Sequence, residues 1–149
     1  MTVAIEQLTD VTDDVVDAFA TLLPQLSASA KPLDAAAIRA VVASPAVTVL
    51  LARSDDTIIG ALSLVIFRIP TGVRAWIEDV VVDAAAGRKG VGTALVREAV
   101  DRASQAGARS VDLTTRPERV AAGNLYERAG FTQRDTRVYR YTPPSAAPP

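Results

Sequence analysis

A pair of glycines, Gly90 and Gly92, stands between an apolar, strand-like run and a helical pattern. Arg88 and Lys89 precede the pair, and Thr93 follows it. Backbone N–H groups at a helix N-terminus bind anions, and glycine lets an anion approach the backbone closely. The turn is therefore either a phosphate-binding loop or an ordinary strand-to-helix turn with solvated basic residues. Taken alone, Gly-x-Gly does not decide between the two.

Neither of the two common nucleotide-binding motifs fits this turn. No Gly-Lys-Ser or Gly-Lys-Thr sequence follows, so the turn is not a Walker A motif. The third glycine position of the dinucleotide fingerprint holds Leu95. A phosphate-binding interpretation therefore needs support from elsewhere in the chain.

The composition restricts the chemistry that this chain can perform. Its 149 residues include no Cys and no His, which excludes disulfides, thiol catalysis, Ser-His-Asp triads and imidazole acid–base chemistry. Proton transfer must then use Glu, Asp, Tyr, Lys, a terminus or water. No metal cofactor is expected. The net charge of −1 makes no electrostatic case for nucleic acid or an anionic membrane as a partner.

No segment of the sequence is predicted to cross or target a membrane. No apolar run approaches the length of a bilayer span, and the N-terminus lacks a basic region followed by an apolar block. The apolar fraction of 49% is enough for one core in a chain of this length. The default expectation is a cytoplasmic protein.

Two blocks of sequence resemble the GCN5-related N-acetyltransferase (GNAT) superfamily. The first is the strand end Val80–Asp83 followed by residues 87–95. It is similar to the acetyl-CoA signature of the family, a strand and short link before Arg/Gln-x-x-Gly-x-Gly/Ala. The second block, residues 119–131, resembles the later helix of the family with its Leu-Tyr-Glu…Gly-Phe ending. The two blocks stand in the order and separation of the family.

Both blocks depart from the family pattern. The Arg/Gln position of the first block holds Gly87, with the arginine displaced to Arg88. We therefore expect a backbone cradle there without a specific side-chain contact. In the second block Arg119 stands where Asn is common, and Gly123 weakens the middle of the helix. Gly123 either permits a close approach of the CoA arm or is simply tolerated.

The resemblance implies acetyl-CoA as the co-substrate and identifies the residues that bind it. The backbone of the strand end would pair with the pantetheine arm as an added strand, and one of its N–H groups would polarise the acetyl carbonyl. The N–H groups of the glycine turn would hold the pyrophosphate. The predicted cofactor-binding set is Val80, Val81, Val82, Arg88, Lys89, Gly90, Val91, Gly92, Thr93 and Asn124.

Tyr126 matches the family tyrosine near the CoA sulfur, which implies that its phenol protonates the leaving thiolate. A tyrosine hydroxyl is a donor at neutral pH, so the role is chemically feasible. The alternative is an amphipathic core tyrosine without a catalytic role. The resemblance favours the acid.

Glu78 is the candidate base, because the acceptor amine must lose a proton to attack. Side chains alternate along a strand, so Glu78 and Asp79 are expected to face opposite sides. Glu78 would then share its side with Trp76, Val80 and Val82. A Glu-Asp pair here also resembles polyamine-type members of the superfamily, in which the Glu position acts through water. The alternatives are that Glu78 pairs with an arginine and positions the substrate, or that Asp79 is the base.

The order of the predicted strands and helices indicates a mixed α/β domain, and the resemblance implies that it has the GNAT fold. We expect a mixed, mostly antiparallel sheet of about six to seven strands, flanked by about four helices and splayed at the acetyl-CoA site. Pro24 is expected to end the first helix, and the last strands are expected at 131–133 and 138–141. One domain spans residues 1–142, and the Pro/Ala-rich residues 143–149 are expected to be disordered.

The predicted function is an acetyl-CoA-dependent N-acetyltransferase that acts on a primary amine by direct attack in a ternary complex. The alternatives are a GNAT-fold module that binds CoA without turnover and, disfavoured by the second block, a nucleotide-binding module unrelated to CoA. The acceptor is a small-molecule or peptide amine, and a homodimer is compatible with the family. Residues 114–116 are candidate acceptor contacts. Arg137, Tyr139, Arg140 and Tyr141 either line the acceptor pocket or, as we favour, form a solvated edge strand.

Overall fold

A computed structural model describes residues 2–86 and 90–145 and confirms the α/β fold class. The elements are β1 (Val3–Gln7), α1 (Asp13–Leu26), α2 (Ala35–Val42), β2 (Val47–Ser54), β3 (Thr57–Ile69), β4 (Gly72–Val82), a 3-10 turn (Ala84–Ala86), α3 (Val91–Gln105), β5 (Val111–Asp112) and α4 (Val120–Arg128). None of the described helices is long and apolar enough to cross a membrane.

The five strands form one sheet in the order of the sequence. β1 to β4 pair antiparallel, whereas β5 runs parallel to β4 because α3 makes the crossover between them. β5 pairs with β4 only at Ala75 and Trp76. Residues 77–82 of β4 therefore have one edge that no strand of the described chain covers, which confirms the predicted splay.

Helices cover both faces of the sheet and bury a separate apolar cluster on each. An apolar stripe of α3 packs against β2, β3 and β4 and includes Val91, Leu95, Ala99 and Ala103, all buried. On the opposite face, α1 and α2 bury Val15, Leu22 and Ile38 against Leu51 and Val81. We call these the α3 face and the α1/α2 face.

The predicted break of the first helix at Pro24 is wrong, because α1 continues to Leu26. A proline removes one backbone donor and crowds the preceding turn. The cost is small here because the helix ends two residues later and Pro24 is exposed. The Gln25 side chain also donates to the Thr21 carbonyl oxygen at 3.2 Å and so supports the last turn.

The strands predicted at 131–133 and 138–141 are also wrong, since residues 131–145 contain no strand and the sheet has five. Val138, Tyr139 and Tyr141 are 70%, 89% and 82% exposed. A pattern of period two specifies a strand only when a neighbouring strand accepts its hydrogen bonds and a core covers one face. This segment has neither. The predicted tail at 143–149 lies partly outside the described residues.

Candidate functional site

β4 contains a bulge at Asp79. Ala61 lies opposite Val81 and Ser63 opposite Glu78, so one residue of β3 faces two residues of β4. Asp79 has a φ of 52°. This left-handed conformation is strained for most side chains, and Asp tolerates it better than most. The extra residue reverses the alternation of side chains for the rest of β4.

The bulge changes which residues share a face of the sheet. Ile77 packs on the α3 face, and so do Val80 and Val82 beyond the bulge. Glu78 pairs across the strands with Ser63, and Ser63 lines a cavity on the α1/α2 face. The prediction that Glu78 shares a side with Val80 and Val82 is therefore wrong, because strict alternation fails at a bulge.

Glu78 is exposed, and its hydrogen-bond partner is an indole. Trp76 Nε1 donates to Glu78 Oε1 at 2.7 Å. No arginine of the described chain forms an ion pair with this carboxylate. The second carboxylate oxygen, Oε2, is not engaged by any side chain within residues 2–86 and 90–145 and can accept a proton.

Asp79 lines a small cavity of about 80 Å³ between α1, α2 and the sheet. The other lining residues are apolar except for Ser63. Partial withdrawal from water and, second, the charge of Glu78 raise the pKa of the Asp79 carboxyl above its ordinary 3.8. Asp79 and Glu78 thus lie on the same face, and the expectation of opposite faces is wrong for the same reason as above.

The glycine turn leads into the N-terminus of α3, as predicted. Gly90 is the N-cap, and its φ of 87° lies in the region that favours glycine. Val91 is the first helical residue and is buried. The predicted cofactor contacts of Arg88 and Lys89 lie outside the described residues.

The two sequence blocks meet at Gly92. A Cβ atom on Gly92 would lie 2.8 Å from Leu125 Cδ1 and 3.8 Å from Val82 Cγ2. Glycine is therefore needed for the first turn of α3 to approach α4 and the end of β4. The sequence interpretation assigned Gly92 to phosphate binding and missed this packing role.

Gly60 in β3 provides a second close approach on the same face. A Cβ atom there would lie 3.1 Å from the Val81 carbonyl oxygen and 3.2 Å from Leu95 Cδ1. The β2–β3 register also shifts beside Gly60, opposite Ala52. Gly60 thus lies beside a bulge and at a close backbone approach, and α3 packs directly over β3.

Tyr126 lies in α4 and packs in the α3-face cluster with Val80, Val82 and Leu125. Its ring centroid is 6.0 Å from that of Phe131, and the Phe131 N–H donates to the Tyr126 carbonyl oxygen at 2.9 Å. Burial raises the pKa of the phenol above its ordinary 10.0, and the Arg119 cation opposes this in part. The hydroxyl is therefore protonated at neutral pH.

A cleft of about 1050 Å³ opens beside Tyr126, between the region of β5, α4 and the segment 131–138. We call it the main cleft. Trp76 and Asn124 also line it, whereas Val80–Val82 do not. Trp76 thus connects the main cleft to Glu78, a role that the sequence interpretation missed. The available signal was its position two residues before Glu78 with an indole N–H that needs an acceptor.

Gln25 is another residue that sequence reasoning missed. Its side chain donates to Asp83 Oδ1 at 3.1 Å and accepts from the Ala84 N–H at 2.9 Å. Asp83 Oδ1 also accepts from the Ala85 N–H at 3.0 Å. These bonds fix the turn that leads from β4 toward α3. The two side chains are 58 residues apart in sequence, so no local pattern could have identified the contact.

Comparisons with known proteins agree with this architecture. The sequence profile of the acetyltransferase (GNAT) family matches residues 12–131. No curated protein sequence matches the chain. Among solved structures, an Agrobacterium tumefaciens protein classed as an acetyltransferase has a TM-score of 0.80 at 24% identity, covering 93% of this chain and 99% of that one.

Two other solved structures are similar over nearly their whole lengths. A transcriptional regulator from Bacillus halodurans has a TM-score of 0.77 at 26% identity, covering 95% of this chain and 100% of that one. An aminoglycoside N-acetyltransferase in complex with CoA has a TM-score of 0.77 at 16% identity, covering 95% of each chain. Because the family profile covers most of the chain, this protein belongs to the acetyltransferase (GNAT) family.

Proposed function

We propose that this chain is an acetyl-CoA-dependent N-acetyltransferase that acetylates a primary amine by direct attack in a ternary complex. The observation that carries the proposal is the edge of β4 at residues 77–82, which no described strand covers. An extended pantetheine arm fits such an edge by strand addition. The proposal includes the cytoplasmic location expected from the sequence.

The residues that would hold acetyl-CoA are those at the end of β4 and the start of α3. Backbone groups of Val80, Val81 and Val82 would pair with the pantetheine arm, and one N–H would stabilise the oxyanion. The N-terminus of α3 presents N–H groups that suit a pyrophosphate. The CoA complex of the related aminoglycoside enzyme supports this choice of co-substrate.

Glu78 is our proposed base. Trp76 holds its Oε1, so Oε2 is free to accept the proton of the amine directly or through water. Asp79 is the alternative base, since its raised pKa makes the ionised carboxylate more basic. Its position on the bulge places it beside the strand segment proposed to bind the thioester.

Tyr126 is our proposed acid. The amine nitrogen forms a bond to the thioester carbon, the C–S bond breaks, and the leaving thiolate takes the phenolic proton of Tyr126. Solvent then returns a proton to the phenol. The half-buried position of Tyr126 in a cluster with Val80 and Val82 supports this role, and its raised pKa keeps the proton available at neutral pH.

The second candidate function is a module that binds CoA without turnover. The similarity to a protein described as a transcriptional regulator favours it. Titration calorimetry with acetyl-CoA tests what both candidates share, and absence of binding at neutral pH would contradict both. Release of CoA in the presence of a panel of amines separates them, because only the enzyme releases it.

A further inference from the structure

The main cleft carries an excess of positive charge in a chain whose net charge is −1. Two carboxylates, Asp112 and Glu127, line the cleft. The cations that line it are more numerous, and we call them the arginine cluster: Arg116, Arg119, Arg134 and Arg137. They come from the loop after β5, the start of α4 and the segment that follows α4. Three separate pieces of chain thus converge to place guanidinium groups around one cleft.

The arginine cluster has no side-chain partner among the described residues. None of its four guanidinium groups forms an ion pair or a side-chain hydrogen bond with another residue of 2–86 or 90–145. Arginines that support the fold are different. Arg53 donates to Glu6 at 2.8 Å, Arg102 to Glu98 at 3.0 Å and Arg109 to the Thr71 carbonyl oxygen at 2.6 Å. The donors of the arginine cluster are therefore available to a ligand.

Trp76 lies between the positively charged main cleft and the negative charge of Glu78. Its ring lines the main cleft, and its Nε1 donates to Glu78 at 2.7 Å. Asp79 follows Glu78 on the same face. A molecule that extends from the main cleft past Trp76 to Glu78 thus meets guanidinium groups at one end and a carboxylate at the other. A ligand with the opposite arrangement of charge is electrostatically complementary.

We propose that the acceptor is an amine whose other end carries an oxyanion, either a carboxylate or a phosphate. This inference rests on the proposed function. The amine lies near Glu78, and the oxyanion binds the arginine cluster, where a guanidinium fork pairs with two oxygens at once. A polycationic acceptor brings like charges against these arginines, so the preference of the aminoglycoside enzyme in its CoA complex is not expected here.

The oxyanion has two possible sources, the acceptor and the phosphates of acetyl-CoA. Arg134 and Arg137 distinguish them because they lie after α4, whereas the residues proposed to bind the cofactor lie at the end of β4, at the start of α3 and, for Asn124, within α4. If the acceptor supplies the anion, removing their charge raises KM for the acceptor alone. If the cofactor supplies it, KM for acetyl-CoA rises instead.

The test compares matched acceptors by following CoA release. The pairs are an amino acid with its amide and glucosamine 6-phosphate with glucosamine, and spermidine and kanamycin are the polycations. We expect the anionic member of at least one pair to have a kcat/KM higher by about tenfold or more, as for a charge-assisted hydrogen bond. Arg134→Gln and Arg137→Gln should each lower kcat/KM for the anionic acceptor about tenfold and leave KM for acetyl-CoA unchanged. Arg140→Gln is the control, since Arg140 follows in the same segment but does not line the main cleft.

Two results would overturn this inference alone. One is turnover that is restricted to neutral or polycationic amines. The other is a rise in KM for acetyl-CoA, without an effect on the acceptor, in the Arg134→Gln and Arg137→Gln variants. Absence of CoA release with every amine would overturn the proposed function and this inference with it, so the two failures are distinguishable.

Discussion

On the α3 face, segments distant in sequence meet through close contacts, with Gly92 against Leu125 and Gly60 beneath Leu95. The segment after α4 is the opposite case. Its Val138 and Tyr139 are 70% and 89% exposed, and its Arg134 and Arg137 line the main cleft without an ion pair to any described residue. Within one small domain, the side assigned to the cofactor is densely packed, whereas the side assigned to the acceptor is open and charged.

This difference indicates what each side can change without loss of the fold. Substitutions on the α3 face disturb the core and the approach of α3 to β4, so they should affect stability and acetyl-CoA binding together. Substitutions of Arg134 and Arg137 in the main cleft meet few neighbours, so they should affect the acceptor alone.

Leu95→Ala should destabilise the packed α3 face. Leu95 is fully buried in the α3-face cluster, so truncation loses its transfer free energy and leaves a cavity, at a cost of about 3 kcal/mol in the free energy of unfolding. Val138→Ala is the matched control and should cost less than about 0.5 kcal/mol. Urea denaturation of both variants measures the difference. An equal loss in the free energy of unfolding for the two variants would contradict the contrast between a packed α3 face and an open main cleft.

Tyr126→Phe should lower kcat by about 100-fold, the contribution typical of a general acid, with little change in KM for acetyl-CoA. The wild-type rate should also fall at high pH, because the acid is lost when the phenol is deprotonated. Since burial raises the pKa of the phenol, this fall should come above the ordinary tyrosine pKa of 10.0. The variant should lack this basic limb. A pH profile of CoA release measures both effects, and unchanged turnover would remove the acid role.

Glu78→Gln should also lower kcat at neutral pH, by up to about 100-fold, because the amide cannot accept the proton of the amine. It keeps the side-chain oxygen that accepts from Trp76, so the geometry is retained. Asp79→Asn is the paired variant and should have a smaller effect on kcat. If the Asp79 variant loses more activity than the Glu78 variant, Asp79 is the base.

Gly92→Ala should cost about 1 kcal/mol in stability, because its Cβ atom would lie 2.8 Å from Leu125 Cδ1 and force that side chain to move. KM for acetyl-CoA should rise as α3 shifts. Gly123→Ala is the control, since a Cβ atom there meets nothing within 4 Å and alanine favours the helix. A lower melting temperature for Gly123→Ala than for wild type would contradict this account of the two glycines.

Asp79→Asn should change the pH dependence of stability by the smallest amount. The pKa of the folded carboxyl is raised above 3.8, so the unfolded chain loses this proton first. The protonated Asp79 carboxyl therefore contributes to the free energy of unfolding below pH 3.8, and this contribution is lost as the pH rises through the pKa of the folded state. Asparagine also tolerates the left-handed φ. Chemical denaturation between pH 3 and pH 7 should show that wild type loses stability relative to the variant as the pH rises, and a difference that stays constant would contradict the raised pKa.

Local sequence signals predicted the packed side well. The apolar stripe of α3 and the glycine at its N-terminus follow from the helical period and from backbone geometry, which few neighbouring residues determine. Asp34 caps α2 by accepting from the Ala37 N–H at 2.8 Å, which is another local signal because Asp is a preferred N-cap residue. The family resemblance depended on two blocks that lie far apart in sequence, and Gly92 and Leu125 bring them into contact.

Features that depend on long-range pairing were not predictable in the same way. The bulge at Asp79 is a property of the β3–β4 register, and it decides which face Glu78 occupies. The alternation around Val138 and Tyr139 predicted a strand, but no neighbouring strand pairs with it in the described chain. The contact between Gln25 and Asp83 joins α1 to the end of β4. In each case the deciding partner is remote in sequence.

The most direct measurement of the central claim is the release of CoA from acetyl-CoA by the purified chain, followed over a panel of amines, with the product identified by mass spectrometry. We expect amine-dependent release, with one acetyl group gained by the amine for each CoA released. Tight binding of acetyl-CoA without release for any amine would contradict it and favour the module that binds CoA without turnover.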